Sequence, residues 1–451
     1  MREIEISVIM PSLNVVPYIR ECVESVINQT FKNIEIICVD AGSTDGTLEV
    51  LKEFEKKDER IKVIVSDKKS YGYQVNLGIK EAKGRYIGIV ETDDYIETNF
   101  YEKLFAETQQ YEVDFVKMGF REFFKYNGNL HYYDRISNEA KNVAREYLDL
   151  KINRSLGLIE LNHIWSAIYR RKFIVDNQIY LNETAGAAYQ DTSFFILVGL
   201  KAKDCVYVDD YLYNYRIDNP SSSVKGSEKW KCILDEYQYV DKYIKEHEID
   251  SKDNRRIITE IKLITYMWNY MRLTESAKKA FFDSIQVEMR EIREDNILWN
   301  ELSCGAREKY CFLTSKEKIA NYEEVQEIAY NVYTDIIKNA INEKKYVVVG
   351  AGNYFRELCF LQMVLGKKFI KAVCDNSPII QNTLVENYVV SSVEDIVEEE
   401  IDMYWIVANQ KYGSHIMKQL SSLGIRQEKV ILFDQVLGRD KLLEILYSFT
   451  A

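Results

Sequence analysis

Tyr86-Ile87-Gly88-Ile89-Val90-Glu91-Thr92-Asp93-Asp94 passes from an apolar run straight into three acidic groups within four residues. A short apolar run bounded by polar residues reads as a strand covered on both faces. The sudden change to carboxylates marks the point where that strand leaves the core. Working outward, Glu5 to Met10, Ile34 to Val39 and Ile61 to Val65 are similar runs rich in β-branched residues. Between them, Tyr18 to Ile27 and Thr47 to Phe54 carry apolar residues at helical spacing. Strands alternating with helices predict an α/β domain with a mostly parallel sheet and crossover helices. Such sheets bind ligands beyond the carboxyl ends of their strands. Three segments fall there: Pro11 to Asn14, Asp40 to Asp45, and Glu91 to Asp94.

Each segment has a chemistry and a plainer alternative. Glu91, Asp93 and Asp94 repel one another unless a cation sits among them. Mn2+ or Mg2+ takes oxygen ligands, and one or two carboxylates plus diphosphate oxygens complete its shell. The alternative is a solvated run of charge, which the preceding buried strand disfavours. In Val39-Asp40-Ala41-Gly42-Ser43-Thr44-Asp45-Gly46-Thr47, Asp40 can accept the imino N–H of a uracil or a ribose hydroxyl. The small residues after it let backbone N–H groups approach a nucleotide. The alternative is a turn leading into a helix capped by Asp45 or Thr47.

Taken together, these motifs resemble those of the family 2 glycosyltransferases of GT-A fold. The resemblance includes Pro11-Ser12-Leu13-Asn14, Tyr71-Gly72-Tyr73-Gln74-Val75-Asn76-Leu77-Gly78 and Ala82-Lys83-Gly84-Arg85-Tyr86-Ile87. It continues through His163-Ile164-Trp165-Ser166-Ala167-Ile168-Tyr169-Arg170-Arg171 and Ala188-Tyr189-Gln190-Asp191-Thr192-Ser193-Phe194-Phe195. Its last part is Tyr213-Asn214-Tyr215-Arg216 followed by Ser221-Ser222-Ser223. The resemblance implies that Pro11, Asn14, Asp40, Gly42, Ser43, Asp45, Gln74, Asn76, Glu91 and Thr92 bind the nucleotide sugar. It implies Asp93 and Asp94 as ligands of Mn2+ or Mg2+, and Asp191 as catalytic base. His163, Trp165, Gln190 and Arg216 become candidates for the acceptor and donor pocket. The chain departs from the pattern in Glu91 and Gln190, where Asp and Glu are usual, in Gln74-Val75-Asn76, where Ala-Arg-Asn is common, and in Ser166, where Lys is frequent. The implied activity is inverting transfer from a nucleotide-diphosphate sugar, UDP by default, to a hydroxyl of a glycan or lipid-linked acceptor in cell-surface polysaccharide assembly. No Gln-x-x-Arg-Trp motif of the processive members is present, which favours single-sugar addition. For Asp191 the plainer reading is an N-cap.

Composition narrows the partners. A net charge of −12 over 451 residues argues against nucleic acid, which needs a basic face. It leaves at most a peripheral contact with anionic lipid. The eight cysteines include no CxxC pair, and Cys38 and Cys374 lie in apolar runs, so reduced buried thiols are expected. No segment reaches ~18 consecutive apolar residues, and the N-terminus enters a strand without a signal peptide. A cytoplasmic protein is expected, with room for association at the inner face of the membrane.

Beyond residue 225 the pattern turns helical and charged. Arg255 to Leu273 reads as a bundle helix, with a membrane-resting face as the alternative. Tyr346-Val347-Val348-Val349-Gly350-Ala351-Gly352 then opens a second strand–turn–helix unit, with further strands at Phe369 to Cys374 and Met403 to Ala408. Phe355 occupies the third glycine position of a dinucleotide fingerprint, so no bound NAD is expected. The expected layout is a catalytic domain over residues 1–225, a helical region over 226–343 and a small Rossmann-like domain over 344–451, the last a scaffold, a nucleotide sensor or a surface for homo-oligomer formation. Two other functions compete. A catalytically silent nucleotide-sugar-binding scaffold draws on Glu91 and Gln190, against Asp93, Asp94 and Asp191. A nucleotidyltransferase needs a glycine-rich phosphate loop, which Pro11-Ser12-Leu13-Asn14 lacks.

Overall fold

The computed structural model describes residues 3–126, 128–158, 163–220, 229–400, 403–407, 413–432 and 439–449. Ser221-Ser222-Ser223, Ala408 and the expected boundary at 225/226 lie outside them. The chain divides into two compact units, Met1–Thr314 and Ser315–Ala451.

The first unit is built on strands β1 (Ile6–Ser12), β2 (Ile34–Asp40), β3 (Ile61–Val65), β4 (Tyr86–Ile89), β5 (Tyr95–Ile96), β6 (Phe115–Tyr126), β7 (Asn129–Arg135), β8 (Leu148–Asp149), β9 (Ala167–Arg170) and β10 (Asp204–Arg216). The sheet order is β3-β2-β1-β4-β9-β6-β10-β5, with β7 beside β6 and β8 beside β10. The strands β3, β2, β1 and β4 run parallel, as expected from their crossovers. From there the sheet is mixed: β9 is antiparallel to β4 and β6, β10 is parallel to β6, and β5 is antiparallel to β10.

Helices α1 (Val16–Ile27), α2 (Thr47–Glu55) and α3 (Tyr71–Glu81) make the crossovers. Pro17 sits in the first turn of α1, where its missing N–H costs nothing. Ile19, Cys22, Val23 and Val26 then form a stripe at helical spacing, buried against Val8, Met10, Ile36 and Cys38. The helix α3 is capped by Ser70, whose hydroxyl accepts from the Tyr73 N–H. Its Gly78 lies against β1; a Cβ there would stand 2.5 Å from Cγ2 of Ile9. Further along come α4 (Phe100–Gln110), α5 (Asn138–Asn142), α6 (Arg171–Asp176) and α7 (Gln190–Lys201).

The helices α8 (Trp230–Glu246), α9 (Lys252–Arg272), α10 (Glu275–Glu294), α11 (Asn296–Glu301) and α12 (Cys304–Leu313) belong to this same unit. The helical region therefore does not stand apart from the sheet. In α9, Ile257, Ile258, Ile261, Leu263, Tyr266 and Tyr270 are buried, which makes it a bundle helix.

The second unit contains α13 (Lys316–Ile341), β11 (Tyr346–Val349), α14 (Asn353–Leu365), β12 (Ile370–Cys374), β13 (Leu384–Val385), β14 (Tyr388–Ser391), α15 (Val393–Glu400), β15 (Tyr404–Val407), α16 (Gly413–Ser422), β16 (Val430–Leu432) and α17 (Arg439–Ser448). Its order is β13-β14-β12-β11-β15-β16, parallel except for β13. Phe355 is fully buried and fills the space a third glycine would leave open. Asp375, at the end of β12, accepts from the N–H groups of Ala351 and Ser377. The unit begins about thirty residues before the expected domain boundary, because α13 packs with it and Tyr333 of α13 donates to Glu357 of α14.

Candidate functional site

Two loops at the carboxyl ends of β1 and β2 are tied to each other. Asp40 is fully buried and accepts from Ser12 Oγ (2.9 Å), Gly42 N (3.0 Å), Ser43 N (2.7 Å) and Ser43 Oγ (2.6 Å). A carboxylate has about four acceptor positions, so the loop itself uses them. Gly42 adopts φ +76°, a backbone conformation that glycine supplies without strain. Asn14 Oδ1 accepts from Thr44 N, while Asn14 N donates to Ser43 Oγ, both at 2.9 Å. Asp45 accepts from Val16 N and from both donors of Thr47. Its carboxylate therefore tethers the starts of α1 and α2, which is the turn-and-cap alternative.

Gln74 and Asn76, expected at the nucleotide, are buried struts. Gln74 Nε2 donates to the carbonyls of Ser12 (2.8 Å) and Val39 (2.6 Å), bridging the ends of β1 and β2. Asn76 pairs with both backbone groups of Leu181, each at 2.9 Å, and reaches Glu183 Oε1 at 3.2 Å. Both amide atoms of Asn76 are thus committed to the chain, as is the Nε2 of Gln74.

The acidic turn after β4 splits into two kinds of carboxylate. Asp94 is buried, and its oxygens accept from Tyr213 OH (2.8 Å) and Arg216 N (2.7 Å), both on β10. Asp94, expected as a metal ligand, fastens the turn to β10 by these two bonds. Glu91 and Asp93 are only half-buried. Glu91 accepts from the Tyr71 hydroxyl, and Asp93 Oδ2 accepts from Asn219 Nδ2 at 2.7 Å. Burial, then the neighbouring Asp93 and Asp191, push the Glu91 carboxyl up to about 8, against the Tyr71 hydrogen bond. Burial likewise raises Asp93. Thr92 points the other way and donates to the Pro11 carbonyl at 2.8 Å. Arg216 lies between the Tyr18 and Phe123 rings, donates to the Asp93 carbonyl and pairs with Glu21. It braces the turn from below.

Among the described residues no group of three or more His, Cys, Asp or Glu side chains is arranged to hold a metal by itself. Two half-open acids, each with its proton affinity raised by burial, fit a different arrangement. Mg2+ or Mn2+ is often held by one or two carboxylates while substrate phosphates and water fill the remaining positions. Glu91 and Asp93 have the chemistry for that.

Asp191 stands in the first turn of α7, after Tyr189, which occupies the cap position at φ +67°. Asp191 is thus not the N-cap. Burial lifts its carboxyl to about 6, opposed by the N–H groups of Thr192 and Asp191 and by the Lys117 charge. Gln190 is buried; its amide accepts from Ala188 N and donates to Thr184 Oγ1 and the Gly186 carbonyl, closing the loop before α7. That loop is joined to the start of α3: Tyr71 N donates to the Gly186 carbonyl at 2.9 Å. Tyr71 therefore touches both halves of the site, Glu91 by its hydroxyl and the Asp191 loop by its backbone. At Gly72 a Cβ would stand 2.1 Å from the Asn182 carbonyl oxygen, so only glycine permits this approach.

His163 and Trp165, candidates for the pocket, are buried at its base. Trp165 stacks on Tyr213 (ring centroids 4.2 Å apart) and on Tyr215 (5.1 Å), and His163 packs on Phe120 and Trp165. The fully buried Lys117 of β6 donates to the His163 carbonyl and lies 4.6 Å over the Phe195 ring. Tyr71, Lys117, Tyr213 and Asn219 were not among the expected site residues. Of these, only Tyr71 and Tyr213 lie inside quoted motifs, where their position could have suggested them.

Residues 7–176 match the model of the family described as Glycosyl transferase family 2. Glycosyltransferase GlyG of Streptococcus pneumoniae is 33% identical over 215 residues, covering 47% of this chain and 70% of that protein. Glycosyltransferase GlyA of the same organism is 28% identical over 237 residues, covering 51% of this chain and 33% of GlyA, so the match spans a third of that protein's length. Among solved structures, S. aureus TarS 1-349 in complex with UDP-GlcNAc superposes with a TM-score of 0.55 at 19% identity, covering 71% of this chain and 92% of that one. At that identity the likeness is one of fold. Among the described residues no helix is long and apolar enough to cross a membrane.

Proposed function

The chain belongs to the family 2 glycosyltransferases and has their GT-A fold, and from that membership we propose that it transfers a sugar from a UDP-sugar to a hydroxyl of a glycan or lipid-linked acceptor, with inversion at the anomeric carbon. The observation that carries the reading is Tyr71, whose hydroxyl donates to Glu91 while its backbone N–H donates to Gly186 in the loop before Asp191, so that the acidic turn and the Asp191 loop are joined. TarS, which shares the fold, is solved with UDP-GlcNAc, and this supports a UDP-sugar as donor.

In this reading the ordered loops around Asp40, Gly42 and Ser43 form the floor for the nucleotide. Glu91 and Asp93 would hold a divalent cation, with the donor's phosphates completing its shell. When bound, that cation neutralises the charge gathering on the leaving group. Asp191 accepts the proton of the acceptor hydroxyl as its oxygen bonds to the anomeric carbon, while the bond from that carbon to the diphosphate oxygen breaks and UDP leaves. A carboxyl held at about 6 is mostly ionised at neutral pH. It is also a stronger base than an ordinary aspartate, and both properties suit the task. Buried Trp165 and Tyr213, with the half-buried Tyr215 stacked on Trp165, form a packed aromatic group under the acidic turn.

A thermal-shift screen with UDP-, dTDP- and GDP-sugars, each with Mn2+ or with chelator, tests this. A ligand at 100-fold over its dissociation constant should stabilise by about 2.7 kcal/mol. The selected donor should bind only with metal, and Asp93→Asn should abolish that binding while the protein stays folded. Manganese-dependent binding that survives Asp93→Asn in calorimetry removes Asp93 from the site.

A further inference from the structure

The segment that carries Asp191 is gripped by helices outside the sheet. From α8, Tyr243 donates to the Asn177 carbonyl (2.5 Å) and Tyr239 to the Tyr180 carbonyl (3.1 Å). Lys229, just before α8, reaches the Ala187 carbonyl at 3.2 Å. From α9, Asn269 Oδ1 accepts from the Tyr189 hydroxyl at 3.0 Å. That contact helps hold Tyr189 in a left-handed conformation that non-glycine residues seldom adopt.

One side chain in this grip spans Asp191. Glu236, in the middle of α8, is fully buried. Its Oε1 accepts from Asn182 Nδ2 at 3.1 Å, and its Oε2 accepts from the Ser193 hydroxyl. Asn182 lies in the loop before Asp191, and Ser193 lies two residues after it, on the same turn of α7. A buried carboxyl is costly to keep without a task. Burial pushes Glu236 up to about 8, so at neutral pH it is largely neutral and adds little repulsion beneath Asp191.

We propose that Glu236 is a positioning residue for Asp191: by clamping Asn182 and Ser193 together, it fixes the first turn of α7 at the angle from which Asp191 meets the acceptor hydroxyl. The proposal rests on Asp191 being the base. It makes the α8–α9 pair part of the catalytic centre, although these helices lie beyond the matched family region at residues 7–176. Asp191 leaves the core just where the clamp closes. Releasing the clamp lets α7 rock, and a misplacement of about 1 Å costs on the order of 100-fold in rate. The nucleotide loops around Asp40 share no hydrogen bond with Glu236, so donor binding should be spared.

The test uses the full chain, with UDP release from the selected sugar nucleotide for kinetics and calorimetry of UDP with Mn2+ for affinity. Glu236→Ala should lower kcat by at least about tenfold and leave UDP affinity within about twofold. Glu236→Gln should recover most of the rate, because its amide can accept from Asn182 and donate to a turned Ser193 hydroxyl. Ser193→Ala should fall between them. The inference is overturned if folded Glu236→Ala keeps kcat within twofold, if it loses affinity as much as rate, or if Gln does no better than Ala. Should Glu236→Ala fail to fold, an unchanged kcat in Ser193→Ala overturns it equally. Asp191→Asn, run alongside, separates the two readings. Full activity there sinks the base assignment. An inactive Asp191→Asn beside an active Glu236→Ala sinks only the clamp.

Discussion

Asp191→Asn should stabilise the protein at neutral pH while removing most of its activity. Burial lifts the Asp191 carboxyl from its ordinary 3.8 to about 6, so the folded chain holds this proton more tightly than the unfolded chain. Between those two values the folded state carries the extra proton, and stability falls as pH rises. Below the window there is no penalty, and above it the penalty is complete. At about 1.4 kcal/mol per tenfold change in proton affinity, it is on the order of 3 kcal/mol. Asparagine has nearly the same size and never ionises, so a gain of ~1–3 kcal/mol is expected above the window and none below it. If Asp191 served only the helix, the sign would reverse, since a first-turn acid stabilises a helix by ~0.3–1 kcal/mol. Urea denaturation of both proteins at about pH 4, 6 and 8 measures the difference. In parallel, kcat should drop at least ~100-fold. The wild-type kcat/KM should halve near pH 6 and fall about tenfold per pH unit below it, as the base takes up its proton. An Asn variant no more stable at pH 8 than at pH 4, relative to wild type, refutes the burial argument; a near-normal kcat refutes the base.

Gly72→Ala would drive a Cβ into the Asn182 carbonyl, so α3 or the Asp191 loop must shift; a loss of about 1–3 kcal/mol is expected, and an unchanged Tm would show that the contact yields freely. Truncation after Thr314, the end of the first compact unit, should leave metal-dependent UDP binding intact, because each unit has its own core. A truncated chain that folds but binds no UDP in calorimetry would show that the donor site needs the second unit.

The first four strands and their helices were legible because each is a local pattern: a β-branched run, a helical stripe, a turn rich in small residues. The acidic turn was legible for the same reason. What the sequence concealed was which acids face outward. Asp93 and Asp94 are neighbours of one residue type, yet Tyr213 and the Arg216 N–H turn Asp94 inward while Asp93 stays half-open. That difference is made by a strand more than a hundred residues away. Gln74 and Asn76 make the same point, since the carbonyls of Ser12, Val39 and Leu181 that they serve lie far from them in sequence. The helical region looked separate by composition, but Glu236, Asn269, Tyr239 and Tyr243 are committed to the segment at 177–193, and no periodicity announces such pairings.

The ties between the acidic turn and β10 also fix an order of events in time. The bonds from Asp94 to Tyr213 and Arg216 join residues 119 and 122 positions apart, and those from Asp93 to Arg216 and Asn219 span 123 and 126. Contacts that close such long stretches of chain form late, because the entropy of closure is lost before the contact gives anything back. Strands β1 to β4 can pair as soon as they exist, whereas β5, next to the acidic turn, pairs with β10. During synthesis strands β1 to β4 can therefore pair first, and Asp93 and Asp94 gain these partners only after residue 219 has emerged. A half-made chain has the parallel half of the sheet, and its acidic turn is fastened only with the closing of that last long loop.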